Sequence, residues 1–237
     1  LRDQGLPAER VPIAPNRFNV VSRLKGGGGP PYVMLAHIDT VPEGEGWRRD
    51  PFAAEVEGGR LHGRGACDMK GGVAAMLVAF ARIAREPPRL SGDLVIAAVV
   101  DEEGPFMQGA HTLVEAGVIP PNAYIMATEP SDCELAVSHK GVAWYVLTVH
   151  GKSAHGANPH LGADANRALA EATVELYGAV GRLNESDPHL GAPTCVVSRI
   201  EGGHKTNVVS ALARAEVDFR FPPPITPEQA ERIVNEA

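Results

Sequence analysis

His37 and Asp39 close the short apolar run Val33-Met34-Leu35-Ala36 and lie two positions apart, which on extended chain projects both side chains to one side. Imidazole is a common zinc ligand, and such a ligand needs its ring orientation fixed by a partner, often a carboxylate. Taken alone, the pair reads equally well as a strand-end His beside a loop Asp. Asp68 follows Gly63-Arg64-Gly65-Ala66-Cys67 and precedes Met69-Lys70-Gly71-Gly72. An Asp in front of a helix is most often its N-cap. Two glycines in a first turn, however, cost roughly 1 kcal/mol each relative to Ala, which points to something approaching the backbone closely. A phosphate loop is excluded, because the Gly-x-x-x-x-Gly-Lys-Ser/Thr pattern is missing. Asp101, Glu102 and Glu103 follow the apolar run Leu94 to Val100, and Glu129 follows Ala123 to Ala127 just before Pro130. Carboxylates so close repel unless a cation or a proton relieves them. One imidazole with several carboxylates is an oxygen-rich ligand set suited to zinc, cobalt or manganese, and one carboxylate can bridge two ions. Paired ions can generate hydroxide and clamp a developing oxyanion.

The elements that must position these groups follow from the patterning. Asn19 to Leu24 and Tyr32 to His37 read as strands separated by turn residues, and Ala54 to Gly63 as a hairpin around Gly58-Gly59. Val73, Met76, Leu77, Phe80, Ile83 and Ala84 recur at helical spacing until Glu86-Pro87-Pro88 stops them. The continuous run Leu94 to Val100 suits a strand buried on both faces of a parallel sheet. Ala110 to Ala116 reads as a helix and Ala123 to Ala127 as the next buried strand. Strands alternating with helices argue for a layered α/β domain, in which ligands gather beyond the carboxyl ends of the strands. His37, Asp39, Glu102, Glu103 and Glu129 all fall there. From about Lys140 the order changes to a strand (142–149), a helix (163–183), two strands (194–200 and 207–219) and a helix beginning near Thr226-Pro227. That β-α-β-β-α order is the ferredoxin-like arrangement without its last strand. The expected boundaries are 1–137 for a partial catalytic domain and 138–237 for the second.

Composition limits the functions available. The 237 residues, 44% hydrophobic and 22% charged, suit two ordinary domains. A formal net charge of -7, with no basic stripe, argues against nucleic acid. No apolar run approaches the length, about 18 residues, of a spanning helix, and Leu1-Arg2-Asp3-Gln4 lacks a signal peptide's core. Membrane association is therefore not expected. Cys67, Cys133 and Cys195 lie far apart without a CxxC spacing, which fits a reducing, cytoplasmic setting.

A resemblance sharpens the reading. His37-x-Asp39 with Val41-Pro42, Gly46-Trp47 with Asp50-Pro51-Phe52, Gly63 through Gly72, Asp101-Glu102-Glu103 and Glu129-Pro130 resemble the acetylornithine deacetylase and succinyl-diaminopimelate desuccinylase family of metallopeptidases. The resemblance implies a zinc-exopeptidase-like layered α/β catalytic domain with an inserted ferredoxin-like α+β lid, through which the family commonly forms homodimers. It implies two divalent ions, zinc first and cobalt or manganese as alternatives. One ion would be held by His37, Asp68 and Glu129, and the second by the bridging Asp68 and by Glu103. Glu102 would be the general base acting on a metal-bound water, and Asp39 would orient His37. As consecutive residues on extended chain, Glu102 and Glu103 are expected to face opposite sides. Gly151-Lys152-Ser153-Ala154-His155-Gly156 resembles the lid motif whose His steadies the oxyanion. Gly202 through Val209 and Asp218-Phe219-Arg220 resemble segments supplying Asn207 and Arg220 to the substrate, where Arg220 would pair with a carboxylate. His62, His111, His139, His160, His189 and His204 are read as structural or exposed.

The implied reaction is hydrolysis of the amide bond of an N-acyl amino acid or short peptide, with a carboxypeptidase or aminoacylase of the same family as the alternative to a biosynthetic deacylase. Family members carry a further metal-binding His near their C-terminus, and this chain ends before it. Truncation at both ends and an incomplete second metal site are therefore expected, with a non-catalytic fragment that dimerises or binds metal as the rival reading.

Overall fold

The computed structural model describes residue 1 and residues 5–104 and 106–236. Arg2, Asp3 and Gln4, on which the reading against a signal peptide partly rests, lie outside the described residues, as do Pro105 and Ala237. The chain folds as two compact units, Leu1–Leu135 and Ala136–Ala237.

The first unit is built on a five-stranded mixed sheet of β1 (Glu9–Ala14), β2 (Arg17–Leu24), β3 (Gly29–His37), β6 (Gly92–Val99) and β7 (Tyr124–Ala127), in the order β1-β2-β6-β3-β7. β3 runs parallel to both β6 and β7, whereas β2 is antiparallel to β6 and β1 to β2. The run Leu94 to Val99 alternates between two cores. Val95, Ala97 and Val99 pack with Val21, Val33, Leu113 and Ile119 on one face. Leu94 and Ile96 pack with Met34, Ala36, Met69, Met76 and Phe80 on the other. Helices α1 (Gly72–Arg85) and α2 (Gln108–Glu115) supply Met76 with Phe80 and Leu113 to these cores, so a helix covers each face. This explains why β6 lacks the polar alternation of a half-exposed strand. The hairpin β4 (Glu55–Glu57) and β5 (Arg60–His62) forms around Gly58 and Gly59, both at positive φ. Strand β1 is an addition to the sequence reading. Its Pro12 and charged start, Glu9-Arg10, break the apolar alternation, and it is an edge strand, the place where Pro is tolerated.

The second unit has a three-stranded antiparallel sheet in the order β8 (Gly141–His150), β10 (Leu212–Phe221), β9 (Thr194–Gly202). Helices α3 (Ala165–Gly181) and α4 (Pro227–Glu236) bury Leu169, Leu176, Val180, Ala230 and Val234 against Ala213, Ala215, Val217, Phe219 and Phe221 of β10. The β-α-β-β-α order with its third strand in the middle is ferredoxin-like. Asp164 caps α3 by accepting from Asn166 N and Arg167 N. Thr226 and Gln229 form a reciprocal capping box at α4, with Thr226 N to Gln229 Oε1 at 2.8 Å and Gln229 N to Thr226 Oγ1 at 3.3 Å. The strand expected from Asn207 begins at Leu212, because residues before it are drawn to the loop at Ala154: Val209 N donates to Ala154 O at 2.9 Å. Among the described residues no helix is long and apolar enough to cross a membrane.

Candidate metal centre

Three parallel strands deliver the site. β3 ends on His37, β6 ends two residues before Asp101, and β7 ends two residues before Glu129. His37 is 2% exposed, and its ring is fixed by Nδ1 against the Asp39 carbonyl oxygen at 2.9 Å. A carbonyl only accepts, so Nδ1 carries the proton and Nε2 presents its lone pair. Nε2 faces Asp68 Oδ1 at 2.9 Å and Glu129 Oε2 at 3.9 Å. A lone pair and two carboxylates converging in this way require a cation or a further proton between them.

The electrostatics carry the same strain. Burial pulls the His37 pKa down, but the Asp68 hydrogen bond, the Asp39 carbonyl and the charges of Glu129 and Glu102 outweigh it and raise the value overall. Burial pushes Glu102 and Glu129 above the ordinary carboxylate value; His37 opposes this, while repulsion from neighbouring carboxylates adds to it. Among the described residues two groups have ligand atoms mutually within 4.8 Å: His37 with Asp68 and Glu129, and His37 with Glu102 and Glu103. An imidazole surrounded by carboxylate oxygens fits a divalent ion of the zinc, cobalt or manganese type.

Three sequence expectations change, and one, the close approach at the paired glycines, is met. Asp68 is not an N-cap: it sits in a π turn, Ala66–Gly71, with non-helical φ -108° and ψ 102°, and α1 starts without a side-chain cap. That bend turns its carboxylate to His37 and away from the helix end. The glycine requirement is a close approach, since a Cβ on Gly72 would strike the Thr128 carbonyl, one residue before Glu129. Asp39 holds His37 through its backbone oxygen, its carboxylate Oδ1 standing 3.6 Å from Nδ1. The other carboxylate oxygen, Oδ2, accepts Glu103 N at 3.1 Å and ties the ends of β3 and β6 together. Glu102 and Glu103 reach the same neighbourhood, because Asp101 at φ 61° bends a segment expected to be extended.

That bend is held by residues the motif reading missed. Arg17 forms an ion pair with Asp101. The fully buried Asn19 accepts Val100 N at 3.2 Å and donates to Gly109 O at 2.8 Å, so it grips both ends of the segment that carries Glu102 and Glu103. An Asn between Phe18 and Val20 in a strand was the available signal.

The remaining named residues lie in the second unit. His155 is exposed and its Nδ1 accepts Ala157 N at 3.1 Å. It bridges to Val208, and Gly156 N donates to Asn207 O at 2.8 Å, so the His155 and Asn207 segments lie side by side. Arg220 is paired with Asp218 on β10. Of the other seven histidines, none is buried.

Comparison with known proteins extends the pattern beyond single motifs. The family model for peptidase family M20/M25/M40 matches residues 33–236, a range that contains His37, Asp39, Asp68, Glu102, Glu103, Glu129, His155, Asn207 and Arg220. A succinyl-diaminopimelate desuccinylase from Gluconobacter oxydans (strain 621H) is 33% identical over 234 residues, covering 93% of this chain and 60% of the relative. The chain thus spans about 60% of the length of that curated relative. An M20 family metallo-carboxypeptidase from Sulfolobus solfataricus superposes with a TM-score of 0.73 at 17% identity, over 98% of this chain and 66% of that one. A dinuclear metal binding peptidase of the same family from Bacillus subtilis superposes with a TM-score of 0.61 at 19% identity, over 100% and 61%. At such identities the structural likeness establishes the fold.

Proposed function

The chain belongs to the M20/M25/M40 family of peptidases, and from that premise we propose that it is the metal-binding and lid portion of an amidohydrolase that removes the acyl group from an N-acyl amino acid. The observation that carries this reading is His37 Nε2, whose lone pair meets Asp68 Oδ1 at 2.9 Å with Glu129 at 3.9 Å. His37, Asp68 and Glu129 would hold one divalent ion, and Asp68 with Glu103 would contribute to a second. When bound, such ions supply the Lewis acidity that polarises an amide carbonyl and makes water a nucleophile near neutral pH.

The chain's own groups do the rest. Glu102, whose burial raises its proton affinity, takes a proton from the attacking water and returns it to the leaving amine. His155 donates to the oxyanion that forms on the carbonyl oxygen as water adds to the carbon. Asn207 and Arg220 hold the carboxylate of the amino acid. The ferredoxin-like unit would also form a homodimer. Similarity to a desuccinylase supports a dicarboxylic acyl group such as succinyl, and the three free cysteines support a reducing, cytoplasmic setting.

The test is a substrate panel on the full-length protein loaded with zinc, cobalt or manganese. The panel comprises N-succinyl and N-acetyl amino acids alongside dipeptides. Release of free amine from an N-acyl amino acid, abolished by a chelator, is expected. Cleavage of dipeptides alone would replace the acyl substrate with a peptide, and undiminished activity after chelation would overturn the metal reading.

A further inference from the structure

In a parallel ladder each strand offers its backbone groups alternately to its two neighbours. Ile38 N is bonded to β6, donating to Val99 O at 2.9 Å, and Leu35 O is bonded on the β7 side, accepting Thr128 N at 3.0 Å. His37 N therefore points to the β7 side, one step beyond the last ladder bond. β7 has already ended at Ala127. A buried backbone amide needs an acceptor, and here the acceptor is a side chain from a third segment: the Met69 sulfur lies 3.1 Å from His37 N.

Met69 is 1% exposed and packs in the core with Met34, Ala36, Met76 and Phe80. It is also covalently next to Asp68. Three residues further on, Gly72 rests against the Thr128 carbonyl beside Glu129. One short stretch, Asp68 to Gly72, thus contributes a carboxylate, grips the backbone of His37 and abuts the backbone leading to Glu129. The side chain at 69 meets two demands at once, apolar bulk for the core and an acceptor for the amide, and the thioether of Met supplies both.

Resting on the metal reading above, we propose that Met69 is a positioning residue of the metal centre, whose sulfur, by accepting the His37 amide, locks His37 in register with Asp68 and Glu129. Groups that orient a ligand without touching the ion affect affinity by about tenfold or more when removed. Exchange of Met for Leu nearly preserves volume and is well tolerated in cores, so it removes the acceptor and little else.

The experiment compares the full-length wild type with Met69→Leu and with Phe80→Leu, a change in the same cluster at a side chain that is not the acceptor of His37 N. Zinc affinity is read by competition with a chromogenic chelator, and the stability of each metal-free protein by urea unfolding. Exchange of the His37 amide is read by NMR. Met69→Leu should weaken zinc binding about tenfold and speed exchange at His37. Phe80→Leu should lower stability while leaving affinity within about twofold. Met69→Ile, which also lacks an acceptor, serves the same comparison where the Leu variant does not fold. Wild-type affinity in the acceptor-less variants would overturn the proposal, as would an equal loss of affinity in Phe80→Leu, which would assign the effect to general packing. Failure of the wild type to bind zinc, or binding that survives His37→Ala, would instead overturn the metal reading on which the proposal rests.

Discussion

Arg220 is clamped by Asp218 two residues earlier on β10, Nε to Oδ1 at 2.6 Å and Nη2 to Oδ2 at 2.7 Å. The pairing holds the Arg220 guanidinium protonated and the Asp218 carboxyl below its ordinary value. It uses one edge of a planar group with five donors, and the hydrogens left on Nη1 and Nη2 form a second edge at a fixed angle. Asp218 therefore leaves a second edge of Arg220 open to a planar acceptor such as a carboxylate and sets the direction in which that edge points.

The first prediction follows from that geometry. In the full-length protein, Arg220→Ala should raise KM at least tenfold for a substrate with a free carboxylate and change kcat less than about threefold, because a charge-assisted hydrogen bond contributes about 1.5–3 kcal/mol. Steady-state kinetics with the acid and its carboxamide check it. Equal loss on both substrates would remove Arg220 from carboxylate recognition.

Glu102 and Glu103 are adjacent, yet they should fail differently. Glu103 is tied by its backbone amide to the Asp39 carboxylate, whereas Glu102 is the carboxylate whose proton affinity burial raises. Glu102→Gln should retain metal and lose several orders of magnitude in kcat, since it removes the proton carrier. Glu103→Gln should lose metal first. Elemental analysis beside turnover decides between them, and two variants with full metal and full activity would refute both roles.

His155 is exposed in the second unit, where its Nδ1 accepts Ala157 N and its backbone bridges to Val208. If it meets the oxyanion and not the ground-state amide, His155→Ala should lower kcat by about a hundredfold or more while KM moves little. A KM effect with kcat intact would make it a substrate-binding group instead.

Away from the site, Asp93 joins the end of β2 to the start of β6. It accepts Gly26 N, Arg23 and Lys25, each at 3.0 Å, and its pKa is held at about 2, against 3.8. A depressed carboxyl stabilises the fold above its unfolded value and loses that contribution as pH falls toward its folded value. Its stabilisation is thus complete above pH 4 and disappears toward pH 2. The full shift corresponds to roughly 2 kcal/mol, and screening of the exposed Lys25 reduces it to about 1 kcal/mol. Urea unfolding of Asp93→Asn should show that deficit at pH 7 and a narrowing gap as pH falls from 4 toward 2; a gap constant across that range would remove the ion pairs as its cause.

Much of the site's layout was legible in the sequence because the signals are local. A run such as Leu94 to Val99 has the length and composition of a strand buried on both faces, so acidic residues just after it must stand at a sheet end. Adding His37 after a second run and Glu129 after a third put an imidazole and carboxylates at the same end before any packing was known. The helix that follows Asp68 and the helix start at Thr226-Pro227 were equally local. What the tertiary structure decided are the contacts made through space. Only the packing of Asp68 to Gly72 against β3 and β7 turns Asp68 out of the N-cap role and sends the Met69 sulfur to the amide of His37. Only the positive φ of Asp101, held by Arg17, brings Glu102 and Glu103 into one neighbourhood. Asp39 illustrates the division: the sequence identified it as the partner of His37, but the choice of its carbonyl over its carboxylate depends on where Glu103 N stands, 64 residues along the chain. Periodicity and turn chemistry act over a few residues, whereas the pairing of a buried polar atom depends on whatever the fold brings within about 3 Å of it.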